Sequence, residues 1–216
     1  MKRILCYGDS NTYGADPEGG SRFDETTRYP KVLASLLGAE YEVIEEGLPG
    51  RTTVYETFVD PFVNGRTYLY PCLLSHWPLD LVTIMLGTND LSTGSRVNAY
   101  YAAAGAERLV NLIRQVSMEQ QLRCPQILLI SPPLIAETTN SPVIENVFSL
   151  PAAAWESRHF KRHFSDVAGA RNCAFLAAED YTQTGSDGVH ITKESHKNLA
   201  IALHKAILNC IETETA

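Results

Sequence analysis

Short aliphatic runs alternate along this chain with longer stretches in which apolar side chains recur every three or four positions. Lys2–Tyr7, Tyr41–Glu45 and Cys173–Leu176 have the length and composition of strands. Leu79–Leu86 (Leu-Asp-Leu-Val-Thr-Ile-Met-Leu) is nearly all apolar, the pattern of a parallel strand buried on both faces. Gln126–Ile130 is a similar run, and Pro132-Pro133 stops it. The helical period predicts helices over Tyr29–Leu37, ended by Gly38, and over roughly Asn98–Gln121, where Ala102, Leu109, Leu112, Ile113 and Val116 form the apolar stripe. It returns around Ala152–Ala168 and from Lys193 to Cys210, the last with Leu199, Leu203, Ala206 and Ile207 on one face and Thr192 as N-cap.

Strands separated by helices imply right-handed crossovers and a parallel sheet covered on both faces, an α/β protein. The irregular stretches Ala15–Arg28, Gly47–Pro78 and Pro132–Pro151 all follow predicted strand C-termini, where open α/β sheets bind ligands. With 216 residues and no repeat or linker, the expectation is one domain over 1–216. A net charge of -7 argues against nucleic acid as a partner. No run reaches the roughly 18 apolar residues of a membrane span. The apolar segment after Met1-Lys2-Arg3 stops at Gly8, so a cytoplasmic, membrane-free protein is expected. The five cysteines are odd in number, scattered and without a C-x-x-C pair, which fits reduced thiols and no structural zinc.

Against that frame, Gly8-Asp9-Ser10 places a serine on the tight turn that ends the first strand. Asp187-Gly188-Val189-His190 places an acid and an imidazole on one short loop. Nucleophile, general base and a residue to orient the base are the parts that acyl transfer requires. His76, His159, His163, His196 and His204 lack an acid at such spacing. His159 and His163, one helical turn apart, read as a solvated face rather than a metal pair, and His196 and His204 as surface or partly buried residues. Gly87-Thr88-Asn89-Asp90 puts the neutral Asn89 amide at the end of the most buried strand, where it suits an oxyanion. Gly50 and Ser10 offer backbone N–H groups nearby, while Asp90 reads as structural. Each signal alone is also what a turn or helix cap looks like; their joint placement at strand ends points to catalysis.

In order, Gly8-Asp9-Ser10, Gly50, Gly87-Thr88-Asn89-Asp90 and Asp187-Gly188-Val189-His190 resemble the four blocks of the SGNH (GDSL-type) hydrolases. Val43-Ile44-Glu45-Glu46-Gly47-Leu48, Arg51-Thr52-Thr53, Ser131-Pro132-Pro133 and Gly188-Val189-His190-Ile191-Thr192 are similar to its arylesterase/acyltransferase (perhydrolase) branch. The resemblance implies a three-layer α/β/α flavodoxin-like fold with about five parallel strands in order 2-1-3-4-5. It implies Ser10 as nucleophile, His190 as base, Asp187 orienting it, and an oxyanion hole of Ser10, Gly50 and Asn89. Asn11 stands where the family name has Leu, a variation expected to leave the chemistry intact. Glu45-Glu46 stands where many members have Asn.

The expected activity is hydrolysis of small aryl or short-chain acyl esters through an acyl-serine, with transfer to alcohols or peroxide as a variant and no metal or organic cofactor. Tyr13, Val189 and Ile191 are candidate substrate contacts, with Trp77, Phe148 and Trp155 as further candidate walls. The apolar residues of Gly47–Pro78 (Val54, Phe58, Phe62, Val63, Tyr68, Leu69, Tyr70) either pack on their own domain or form a subunit interface; the resemblance implies the second, a homo-oligomer. The alternatives are a carbohydrate or lysophospholipid deacylase on the same fold, and a non-catalytic flavodoxin-like binding module with Asp9 as a phospho-acceptor. No G-x-G-x-x-G follows the first strand, which disfavours dinucleotide binding.

Overall fold

The computed structural model describes residues 1–19, 21–57, 62–95 and 97–212. Five parallel strands form its sheet: β1 (Lys2–Gly8), β2 (Tyr41–Gly47), β3 (Leu81–Met85), β4 (Gln126–Ser131) and β5 (Ala174–Ala177), in the order β2-β1-β3-β4-β5. This is the order the resemblance implied. The helices are α1 (Ser10–Tyr13), α2 (Tyr29–Leu37), α3 (Gly65–His76), α4 (Ala99–Glu119), α5 (Pro142–Val147), α6 (Leu150–Ser157), α7 (Phe160–Ala170) and α8 (Lys193–Glu212).

Side chains of a strand point alternately to opposite faces, and β1 divides its residues accordingly. Leu5 and Tyr7 join a core built with α3, α4 and α7, while Ile4 and Cys6 join a second core built with α2 and α8. All five residues of β3 are buried, which explains why its sequence is apolar apart from Thr83 rather than alternating. The chain winds from β1 outward to β2, then returns past β1 to β3. The sheet therefore has its switch point between β1 and β3, where Gly8 pairs with Gly47 on one side and Met85 on the other.

Three expectations change. The stretch Gly47–Pro78 contains α3, hidden in the sequence by Gly65 at its start and Pro71 within it. Asn64 caps it, its side chain accepting from Arg66 N (2.9 Å) and Thr67 N (3.3 Å). Pro132–Pro151 contains α5, started by Ser141 and Pro142. The helical stretch around Ala152–Ala168 is two helices, α6 and α7, separated at Arg158-His159. Thr192 does cap α8, accepting from Ser195 N at 3.2 Å. Phe58 lies outside the described residues. None of the five cysteines is in a disulfide, and among the described residues no helix is long and apolar enough to cross a membrane.

Candidate active site

Where β1 ends, the chain turns so tightly that a Cβ on Gly8 would meet Thr12 Oγ1 at 1.9 Å and Met85 O at 3.0 Å. Asp9 then caps the single turn of α1, its carboxylate accepting from Asn11 N at 2.9 Å. Ser10 is the first residue of that turn, so its own N–H has no intrahelical acceptor. Gly14, at φ 87°, ends the turn.

The second part comes from the loop between β5 and α8. Gly188, at φ 78° and with Thr138 O 2.6 Å from where a Cβ would stand, bends the loop against the segment after β4. Ala136 N donates to Gly188 O at 2.8 Å. Asp187 Oδ1 accepts from Val189 N and His190 N, both at 2.9 Å, and its Oδ2 lies 2.5 Å from His190 Nδ1. His190 Nε2 lies 2.8 Å from Ser10 Oγ. With Nδ1–H donating to the carboxylate, Nε2 is left as the acceptor for the serine hydroxyl. Burial works to raise the Asp187 carboxyl. The hydrogen bond and charge of His190, with two backbone donors, outweigh it and hold the group below the usual carboxylate range.

The third part is built at the same end of β1, where Arg51 and Leu48 both bond Gly8 O. Gly50 sits in a turn at φ 80°, and its N–H has no acceptor among the described residues. Asn89 Nδ2 donates to Arg51 O at 3.1 Å, which fixes the carboxamide and leaves its second N–H hydrogen available. Asp90 is fully buried and accepts from Thr53 N at 3.0 Å and from Thr53 Oγ1, so it ties the Gly50–Thr53 segment to the end of β3. Burial, reinforced by the nearby Asp9 charge, pushes Asp90 up to about 7 against its Thr53 hydrogen bonds. Arg51 braces the same corner. It donates to Gly8 O at 2.9 Å and to Glu46 O, with its guanidinium stacked over Tyr7. Hydroxyl, imidazole and carboxylate thus meet at the C-terminal end of β1, and the segments carrying Gly50 and Asn89 are bonded to the same corner through Arg51 and Asp90.

Other expected site residues are placed differently. Val189 (2 % exposed) and Ile191 (0 %) are packed in the two cores, so their side chains form no open wall. Their backbones meet Asn11 instead, Val189 O accepting from Nδ2 at 3.5 Å and Ile191 N donating to Oδ1 at 2.9 Å. Tyr13 is half-buried, with the Arg22 guanidinium 4.3 Å over its ring. Phe148 is core, Trp77 packs at the core's edge, and Trp155 is exposed beside His159. A cavity of about 510 Å³ touches Asp187 and His190 and is walled by Asp16, Glu18, Asn140 and Ser141 among others. A larger one, about 1000 Å³, lies between β5 and α8 and touches none of Ser10, Asp187 and His190.

Several polar groups have structural partners. Glu45 is paired with the buried Arg28 at 3.0 and 3.1 Å. Glu46 meets His76 at 3.0 Å, beside the buried Cys72 thiol. Arg51 sets a fixed positive charge next to that trio, and the carboxylate and imidazole satisfy each other, so no ion is assigned to it. His159 bonds Trp155 O, and His163 packs on Tyr100. His196 is fully buried rather than at the surface, stacked on Tyr29 with Nδ1 accepting from Tyr29 N at 3.3 Å. Asp9 is 1 % exposed and spent on its cap, closed to a phosphodonor. Asn11, Arg51 and Asp90 were not singled out for these contacts, since each acts through a partner distant in the chain.

Comparison with known proteins agrees with this fold. The model of the GDSL-like lipase/acylhydrolase family matches residues 6–197. An aryl esterase from M. smegmatis is 37% identical, with a TM-score of 0.91, covering 97% of this chain and 100% of its own. A carbohydrate acetylesterase from Sinorhizobium meliloti is 33% identical, with a TM-score of 0.91 and coverage of 97% and 99%. A putative arylesterase from Agrobacterium tumefaciens is 31% identical, with a TM-score of 0.88 and coverage of 97% and 100%. A search of curated proteins finds no match. With a serine, an imidazole and an acid in contact at the rim of a five-stranded sheet, and a family match across most of its length, the chain belongs to the GDSL-like lipase/acylhydrolase family and is a carboxylic ester hydrolase.

Proposed function

We propose that this hydrolase is a serine esterase acting on small aryl or short-chain acyl esters through an acyl-Ser10 intermediate. The 2.8 Å contact between Ser10 Oγ and His190 Nε2 carries the reading. In the first step Ser10 Oγ bonds to the ester carbonyl carbon as its proton passes to His190 Nε2. The carbonyl oxygen gains the charge and takes hydrogen bonds from Ser10 N–H, Gly50 N–H and the free Asn89 hydrogen. Asp187 stabilises the imidazolium through Nδ1. The tetrahedral adduct then collapses. The C–O bond to the alcohol breaks, and the alcohol leaves with the proton from His190. Water, activated by the same imidazole, cleaves the acyl-serine; another alcohol gives transesterification, and hydrogen peroxide a peracid.

Labelling with a fluorophosphonate tests this directly. A single adduct on Ser10, and loss of nearly all p-nitrophenyl acetate hydrolysis in Ser10→Ala and His190→Ala, are the expected results. Undiminished turnover by Ser10→Ala would refute it.

A carbohydrate ester is the second reading. The cavity beside His190 is walled by Asp16, Glu18, Asn140 and Ser141, groups able to bond a hydroxyl-rich leaving alcohol. The S. meliloti relative is named a carbohydrate acetylesterase. Acetylated sugars compared with aryl acetates by kcat/KM separate the two.

A further inference from the structure

We propose that Asn11 is a positioning residue: its carboxamide holds the peptide groups on both sides of His190 and so fixes the imidazole against Ser10. The inference deepens the reading of Ser10, Asp187 and His190 given above and rests on it.

Asn11 is 1 % exposed and follows Ser10 directly in the chain. Its own N–H is fixed by Asp9 Oδ1 at 2.9 Å, so the backbone from which its side chain springs is set by the same turn that presents the hydroxyl. From there the carboxamide crosses to a loop 180 residues downstream. Oδ1 accepts from Ile191 N at 2.9 Å, and Nδ2 donates to Val189 O at 3.5 Å, the longer of the two bonds. Ile191 N–H can only donate, so the oxygen must face it, and the amide orientation follows.

The base is held from every other side as well. Val189 N and His190 N are bonded by Asp187 Oδ1, and His190 O accepts from Gly185 N at 2.8 Å. The Ile191 side chain is sunk in the core and cannot drift. Of these restraints, the Asp187 and Gly185 bonds are internal to the base loop, so they fix its shape but not its distance from Ser10. Asn11 refers that loop to the serine turn. The proton transfer works over 2.8 Å, and misplacements of about 1 Å at such a site reduce rates by about 10²-fold. A leucine, the residue the family name carries here, fills similar space and bonds neither Val189 O nor Ile191 N.

The test compares wild type, Asn11→Leu and Asn11→Asp by kcat, KM, fluorophosphonate labelling rate, thermal denaturation and the pH profile of kcat/KM. Asn11→Leu is expected to lose roughly 10²-fold in kcat and in labelling rate, with KM nearly unchanged. Asn11→Asp keeps an acceptor for Ile191 N and should recover part of that loss. Any shift of the acid limb in Asn11→Asp reports only that the side chain at this position faces His190. The pattern a purely structural role would not give is a loss confined to kcat and labelling rate at unchanged KM and melting temperature, smaller in Asn11→Asp than in Asn11→Leu. Should Asn11→Leu fail to fold, Asn11→Asp decides alone by its own kcat and labelling rate. Wild-type kcat in folded Asn11→Leu, or in Asn11→Asp where the leucine variant does not fold, overturns the proposal. If wild type itself takes no label on Ser10, the site reading has failed and the proposal falls with it.

Discussion

A carboxamide and a carboxylate stand side by side at Asn89 and Asp90, and their different surroundings give them different work. Asn89 keeps one hydrogen unspent and faces the rim; Asp90 spends both oxygens on Thr53 in the interior. In the proposed reaction Asn89→Ala removes one donor from the growing oxyanion, and kcat should fall by about 10²–10³-fold in steady-state assays, with little change in thermal stability. His196 makes a prediction of another kind. Burial first, then the charges of His190 and Arg28, lower it to about 4. The unfolded chain takes up a proton below about 6.5 and the folded one only below about 4, so this group's contribution to stability is lost as pH falls through that window. Urea denaturation at pH 7 and pH 4.5 should therefore show the advantage of wild type over His196→Phe shrinking by about 3 kcal/mol at most as the pH falls. Ser10, Asp187, His190 and Asn89 were readable because each sits in a short motif at a strand end or in one loop. Asp90 was readable as structural but its partner Thr53, 37 residues away, was not, nor were the bonds of Asn11 to a loop 180 residues downstream.

The strands were legible for a plain reason: a parallel strand buried on both faces is mostly apolar, and β3 and β4 depart from that only at Thr83, Gln126 and Ser131. Helix α3 escaped because its apolar positions are few and a proline interrupts it; what secures it is tertiary. Leu69, Cys72 and Leu73 are buried against the core, whereas Tyr68, Tyr70 and Leu74 stay partly exposed. Helix α4 shows how closely elements and site are coupled. A Cβ on its Gly105 would stand 2.0 Å from Thr53 Oγ1 and 2.8 Å from Thr53 Cβ. Helix propensity alone favours Ala over Gly by about 0.8–1.0 kcal/mol, but this overlap forces Thr53 off Asp90. Gly105→Ala should thus be destabilised by about 1–3 kcal/mol in urea melts. It should also lose kcat, since Thr53 lies three residues from Gly50.

On the scale of the whole molecule, helix-covered faces and the β1/β3 switch point put the crevice where the sequence reading expected it. The pattern of strands and helices called for crossovers of one hand. The lining of the crevice was beyond that reading, because whether Val189 or Ile191 faces core or cavity depends on the bend at Gly188 and on the neighbouring segment it meets. Tyr70 and Leu74, one turn apart on α3 and 38 % and 40 % exposed, form an apolar strip that we propose is covered by a second copy of the chain. Static light scattering at micromolar concentration should give a mass well above 23.9 kDa, and a monomer throughout would remove that interface. Finally, the serine is delivered by the first strand and its imidazole by the loop before the last helix, 180 residues later. During synthesis the hydroxyl emerges long before the imidazole that activates it in the proposed reaction, so a chain cut before Asp187 should leave esters untouched. Under that proposal, reactivity waits until the far edge of the sheet has been laid down.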